Sequence, residues 1–363
     1  MRTLDKLTIK NFKSIREQTL ELGRLNVLIG SNGAGKSNLI EIFRFLREIV
    51  NQNLADYTGT KGGADSLLHF GRKQSAEMSF QLNFGEGHGK SAYFVSLKPT
   101  DEDDFLIGKE KAYDSIEPDH AEGYIKPISA SARESKLKIL DNEVAQTVWK
   151  DMDSFRVYHF QDTSDTAAVK FTCDVEDNRV LRPQAENLAA FLYWMQQKQP
   201  DHFANLQDTL RQIAPFFEEF RLAPSKLNTE KIRLEWKEKG NDAYFNAAAL
   251  SDGTLRFICL ATLLLQPELP PIILLDEPEL GLHPSAIAVL ADLLKAASVS
   301  SQIIVSTQSV TLVNQMNARD IIVVDREGGQ SVFRRLDETA LKGWLEDYAL
   351  GELWEKNVLG GRP

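Results

Sequence analysis

The sequence predicts an α/β protein built on a mostly parallel sheet with helices on both faces. Three observations predict it. From Asp252 onward helices and strands alternate, the order expected of parallel strands joined by helical crossovers. Near the N-terminus a glycine-rich turn, Gly30 to Ser37, stands between a buried apolar run and a helix-type segment. A second apolar run, Ile272 to Leu275, ends in two adjacent acids, Asp276 and Glu277.

The elements follow in chain order. Leu4 to Ile15 alternates apolar and polar residues, as a half-buried strand does. Leu25 to Ile29 reads as a buried strand and Lys36 to Val50 as the helix after the turn. Ser75 to Phe84 and Ser91 to Leu97 predict paired strands joined by the loop GEGHGK. Residues 1–100 make an N-terminal lobe, and 100–150, polar and weakly periodic, read as an insertion. Phe155 to Phe160 returns as a strand. Residues 184–220 carry helix-type periodicity, with Leu188, Phe191, Leu192 and Met195 on one face and Leu206, Leu210 and Ile213 on the next. Ile232 to Trp236 alternates as a strand. The C-terminal lobe, 236–363, adds strands at Ile272 to Leu275, Ile303 to Ser306 and Asp320 to Val324. No internal repeat or low-complexity tract interrupts them.

Composition bounds the function. The 363 residues are 42% hydrophobic and 26% charged, enough for a substantial core. A net charge of −10 gives no support to a diffuse basic surface, though a local basic stripe is compatible with it. Two cysteines, Cys173 and Cys259, make neither a disulfide framework nor a CxxC pair. No signal-peptide core opens the chain, and PPIILLD is too short to cross a bilayer. The expectation is a soluble cytoplasmic protein.

The chemistry begins at Gly30-Ser31-Asn32-Gly33-Ala34-Gly35-Lys36-Ser37, a full GxxxxGK[ST] match in a strand–turn–helix setting. Glycines let backbone N–H groups converge on a phosphate, and the helix N-terminus adds its positive end. Lys36 should reach the β- and γ-phosphates, Ser37 should hold Mg²⁺, and Asn38 follows them into the helix. Asp276 at its strand end suits Mg²⁺, and Glu277 suits a base or polariser for an attacking water. A second carboxylate there favours a hydrolase over a switch or a small-molecule kinase.

Leu250-Ser251-Asp252-Gly253-Thr254 opens an apolar helix just ahead of the Asp-Glu strand. Alone it reads as an N-cap serine in a turn. Between the other motifs it resembles the LSGGQ signature of ABC-type ATPases, with Asp252 and Thr254 as substitutions. The finer resemblance is to the RecF/SMC/OLD-like branch, carried by LTIKNFKSI, by LLDEPELGLHP from Leu274 to Pro284, and by IIVSTQS from Ile303 to Ser309. The closing ALGELWEKNVLGGRP is similar to stand-alone predicted ATPases of that branch. The resemblance implies a P-loop NTPase fold with an ABC-ATPase head: a parallel core sheet, an antiparallel β subdomain and a helical lid over 165–235. It also implies a homodimer with two ATPs, each between one subunit's phosphate loop and the other's Ser251-Asp252-Gly253 turn.

By the same resemblance, Glu279 to His283 corresponds to the turn that couples the two sites, and His283 reads as part of it. Gln308 stands where most relatives carry a histidine that contacts the γ-phosphate. Glutamine can donate a hydrogen bond but cannot become cationic, which predicts slow turnover or reliance on Glu277 alone. The glutamine expected at Mg²⁺ and the water is best matched by Gln161; the alternative is a surface-loop glutamine. Asp325 and Glu327 read as a strand-end turn. No sustained heptads lie between the motifs, and Val310 to Pro363 is too short for an added nuclease domain. Two functions stay open. One is an ATP-gated clamp on DNA in repair or anti-phage defence, with Arg221, Lys226, Lys231 and Arg233 as candidate DNA contacts. The other is an ATP-dependent scaffold for a separately encoded toxin or nuclease.

Overall fold

The structure, a computed structural model, describes residues 2–85, 91–114, 124–129 and 131–361. At its centre lies a six-stranded sheet in the order Gln330–Arg335, Ile321–Glu327, Leu25–Gly30, Gln302–Thr307, Ile272–Asp276 and Phe155–Tyr158. Neighbours are parallel except the outermost pair, Ile321–Glu327 with Gln330–Arg335. Parallel strands covered on both faces must be apolar along their length, and every residue of Leu25–Gly30 and Gln302–Thr307 is buried. Alternate side chains feed two cores. Leu28, Leu274, Ile304 and Val324 pack with the helix Lys36–Val50, while Val27, Ile29, Leu275 and Val305 pack with helices Leu188–Lys198 and Asp252–Leu265.

A second, antiparallel sheet covers the outer face of Lys36–Val50. Its order is Ile15–Glu21, Thr3–Phe12, Met78–Gly85, Ser91–Pro99, Phe105–Asp114, Tyr124–Ser129. Phe45 of the helix meets Phe12 at 5.8 Å and Phe80 at 6.0 Å between ring centroids. Gln302 joins the two sheets from a buried position. Its Oε1 accepts from Leu4 N, and its Nε2 donates to Leu4 O and Gly23 O, each at 2.9 Å. Its three bonds replace those a buried amide loses on leaving water.

Several elements differ from the sequence reading for local reasons. The run Leu4 to Ile15 turns back on itself, because Asn11 and Lys13 adopt left-handed φ of 60° and 47° and Ile15 pairs with Phe12. A two-residue turn leaves an alternating pattern intact, so periodicity alone does not reveal it. Residues 105–114 and 124–129 form strands that extend the antiparallel sheet beyond Ser91–Pro99. Helix-type residues 184–220 give helices Leu188–Lys198 and Pro200–Ile213, after which Pro215 leads into the strand Phe217–Arg221. Ile232 to Trp236 serves two small sheets: Lys231–Ile232 pairs with Cys173–Asp174, and Glu235–Glu238 pairs with Phe217–Arg221. Residues 86–90 of the GEGHGK loop lie outside the described residues.

Candidate active site

The phosphate loop leaves the central strand at Gly30, and its shape depends on glycine at two positions. A Cβ on Gly30 would lie 2.3 Å from the Val324 carbonyl oxygen, and one on Gly35, at φ 118°, would lie 2.2 Å from Ser331 Oγ. The loop is thus pressed against the neighbouring hairpin with no room for a side chain. Lys36 is buried inside it, donating to Gly30 O at 2.7 Å and Ser31 O at 3.1 Å. Burial holds its ammonium below the usual lysine range, against the opposing pull of Glu277, Asp276 and Glu279. Asn38 faces the other way and donates to Ser14 Oγ at 2.7 Å, so in this structure it ties the N-terminal hairpin to the loop.

Asp276 is the meeting point of the acids and hydroxyls. Ser37 Oγ donates to its Oδ1 at 3.3 Å, Ser306 Oγ donates to the same oxygen, and Gln161 Nε2 donates to the Asp276 carbonyl at 2.6 Å. That bond leaves Gln161 Oε1 as the atom with which this side chain could ligate a metal. A serine hydroxyl, an aspartate and an amide oxygen form a hard-oxygen donor set that fits Mg²⁺. Glu277 follows at φ 46°, left-handed although the next residue is Pro278, and its N–H donates to Ser306 O at 3.0 Å. A non-glycine residue held so is a strained position, a feature that concentrates at reactive sites.

Gln308 Nε2 donates to Glu277 Oε1, which brings the two predicted residues together. The backbone beneath them is fastened by Glu279, which sequence reasoning placed only as the first residue of the coupling turn. Its Oε1 accepts from Thr307 Oγ1 at 2.6 Å and Gln308 N at 3.0 Å, while its Oε2 is buried without a partner among the described residues. Burial raises this carboxyl above the usual glutamate range.

Ser251 caps the helix Asp252–Leu265, accepting from Thr254 N at 3.2 Å, while Ser251 and Asp252 stay exposed. Gly253 lies against the turn after Glu277: a Cβ there would meet Gly281 O at 2.5 Å. Arg256, one turn along the helix, donates to Phe160 O at 3.1 Å and Gln161 O at 2.8 Å. The signature helix is therefore bonded to the segment carrying Gln161. An arginine inside an apolar helix was the available signal, since a buried cation must find acceptors. His283 caps the helix Pro284–Ala297 through Ser285, and no three metal-ligating side chains cluster among the described residues. Asp325 accepts from Gly361 N at 2.8 Å, which ties down the closing segment.

Beside Ser37 and Asp276 opens a cleft of about 180 Å³, into which Arg44, Lys61 and His159 also face. Arg44 and Lys61 were not singled out by sequence. Arg44 lies seven residues after Ser37 on one helix, a spacing that returns a residue to the same face. The four predicted cations converge elsewhere: Arg221, Lys226, Lys231 and Arg233 line one groove of about 430 Å³. Lys231 pairs with Asp174 and Arg233 with Glu235, each at 2.7 Å, and Arg221 lies 4.0 Å from the Tyr244 ring centroid.

A family model described as "AAA domain, putative AbiEii toxin, Type IV TA system" matches residues 25–314. The chain belongs to this AAA-domain family. It is similar to the DNA double-strand break repair Rad50 ATPase of Saccharolobus solfataricus, at 30% identity over 151 residues. That match takes in 38% of the present chain and 16% of the relative, so it spans only a small part of the relative's length. Solved structures extend the likeness over the whole fold. The Smc head bound to the C-winged-helix domain of ScpA aligns with a TM-score of 0.61 at 18% identity, covering 93% of this chain and 99% of that one. The Smc head with an extended coiled coil, bound to the C-terminal domain of ScpA from Pyrococcus furiosus, aligns with a TM-score of 0.60 at 16% identity, covering 96% and 99%. The AAA-domain chain thus has the fold of an SMC head. No helix among the described residues is long and apolar enough to cross a membrane.

Proposed function

We propose that the chain is an ATP-gated dimeric clamp, closing on ATP and Mg²⁺ and opening on hydrolysis, and acting on DNA in repair or anti-phage defence. The observation that carries this reading is the exposed signature turn. Ser251 and Asp252 face solvent at a helix N-terminus, seated on the Gly281 turn, and the neighbouring Leu280 is an exposed apolar residue. A helix N-terminus with a serine and a glycine N–H is made for phosphate, and a second copy would bring one to the first copy's loop. Lys36 would carry the β- and γ-phosphates, and Ser31, Asn32, Gly33 and Ala34 would wrap them with backbone N–H groups. Ser37, Asp276 and Gln161 would hold Mg²⁺, which supplies charge neutralisation of the phosphates. Glu277 would accept the proton of the attacking water.

Gln308 is the second donor at that point, and as a neutral amide it favours slow turnover. A slow cycle suits a clamp that dwells closed. One relative points the same way, being described as a double-strand break repair ATPase, whereas the Smc heads were solved with part of ScpA bound. The latter, with the toxin wording of the family description, favours a second reading, a scaffold for a separately encoded effector.

The test is Glu277→Gln. With ATP and Mg²⁺ this variant should elute from size exclusion as a dimer and hydrolyse ATP at least ~100-fold more slowly than the parent. A variant that stays monomeric at saturating ATP would refute the sandwich.

A further inference from the structure

A cavity of about 470 Å³ lies away from the phosphate loop, between the edge strand Phe155–Tyr158 and the helical lid. Small-molecule sites commonly occupy about 300–1,000 Å³ and are lined by aromatics with a few polar groups. This one is walled by Trp149, Tyr158, Phe191 and Trp194 and carries Arg156 and Arg179. Strand alternation accounts for the arrangement. Phe155 and Val157 turn into the core beneath the sheet, which leaves Arg156 and Tyr158 on the lid side.

Tyr158 is only 3% exposed, yet its hydroxyl makes no hydrogen bond among the described residues. The hydroxyl itself is not sealed off, so it opens to the cavity and is available to a ligand. Burial pushes it up to about 12, so it stays protonated and able to donate at neutral pH. Arg156 is held in place by Asp153, with Nη2 to Oδ2 at 3.6 Å. Arg179 is exposed at the mouth and makes no ion pair among the described residues. The cavity therefore combines flat π surfaces, an idle hydroxyl donor and the Arg179 guanidinium, with Glu268 and the Arg156-paired Asp153 as its carboxylates.

We propose that this seam cavity is a second ligand site, taking a small molecule with a planar ring system and an anionic group, of the nucleoside monophosphate class. Rings would stack on Trp149 and Trp194, and the phosphate would take Arg179. Position gives the site its consequence. Tyr158 is three residues before Gln161, and Gln266, also in the wall, follows the helix that Ser251 opens. A ligand here would touch both segments that reach the ATPase centre.

The experiment titrates the full chain with AMP, GMP, CMP and UMP, reading tryptophan fluorescence and calorimetric heat. At least one should saturate with Kd below about 1 mM. That affinity should fall about tenfold in Arg179→Gln and about threefold in Tyr158→Phe, and stay unchanged in Lys36→Ala. No saturation by any of the four overturns the proposal. So does binding lost in Lys36→Ala and indifferent to Arg179→Gln, which would assign it to the phosphate loop. Saturation of the cavity by a proline-rich peptide alone, as aromatic grooves can show, also overturns it.

Discussion

Glu279 shows how a single side chain reports on its surroundings. One oxygen is fully used by Thr307 and Gln308, and the other is buried with no partner among the described residues. Burial raises its pKa in the folded state. A raised folded value means the protonated form is the one folding favours. The benefit is present below the unfolded glutamate range and is lost as pH rises through the folded value. Glu279→Gln, a neutral isostere, should therefore be more stable than the parent at pH 8, with Tm higher by on the order of 2 °C. The gap should close near pH 4, as thermal melts across that range would reveal. Glu279→Ala should instead lose about 1–3 kcal/mol, since Thr307 Oγ1 and Gln308 N are left without their acceptor. An unchanged melting temperature in both variants would mean that this carboxylate is not the fastener.

At the scale of elements, the signature helix is the part whose placement matters most. It touches the turn after Glu277 at Gly253 and the Gln161 segment through Arg256. Gly253→Ala would put a methyl 2.5 Å from Gly281 O, and a backbone carbonyl cannot swing aside. We expect the variant to bind ATP like the parent, because Lys36 is untouched, and to hydrolyse it about 100-fold more slowly. Equilibrium binding of a fluorescent ATP analogue beside steady-state hydrolysis separates the two; equal loss of both would mean general misfolding.

This is also the scale at which the sequence was most and least legible. Lys36–Val50 could be read to the residue because a glycine turn opens it and its apolar spacing is regular. The strands Phe105–Asp114 and Tyr124–Ser129 could not, because their stretch of sequence is polar and weakly periodic. At the candidate site, Lys36, Ser37, Asp276 and Glu277 could be proposed from motif spacing, and the fold brings Ser37 Oγ to 3.3 Å from Asp276 Oδ1. Arg256 could not be proposed so, nor could the fastening role of Glu279, because these depend on which backbone atoms the fold brings near.

For the whole molecule, a net charge of −10 makes the position of its cations decisive. Two of the four groove cations are already matched by Asp174 and Glu235, and Arg221 lies on Tyr244. If this groove holds a duplex backbone, binding should weaken steeply with salt. Arg221→Gln with Lys226→Gln should reduce the slope of log K against log salt by about 2, one for each phosphate contact removed. Filter binding between about 50 and 200 mM salt, with ATP present, reads this slope. An unchanged slope would move the nucleic-acid surface elsewhere and strengthen the scaffold reading.

The strand Leu25–Gly30 lies between two strands from the far end of the chain, Gln302–Thr307 and Ile321–Glu327. On the ribosome, the phosphate loop therefore emerges well before the strands that seat it. Its apolar strand must wait, unpaired, while the whole intervening segment is made. Folding of this kind, dominated by distant pairings, is slow and exposed to aggregation. The candidate nucleotide site is written long before the strands that complete it.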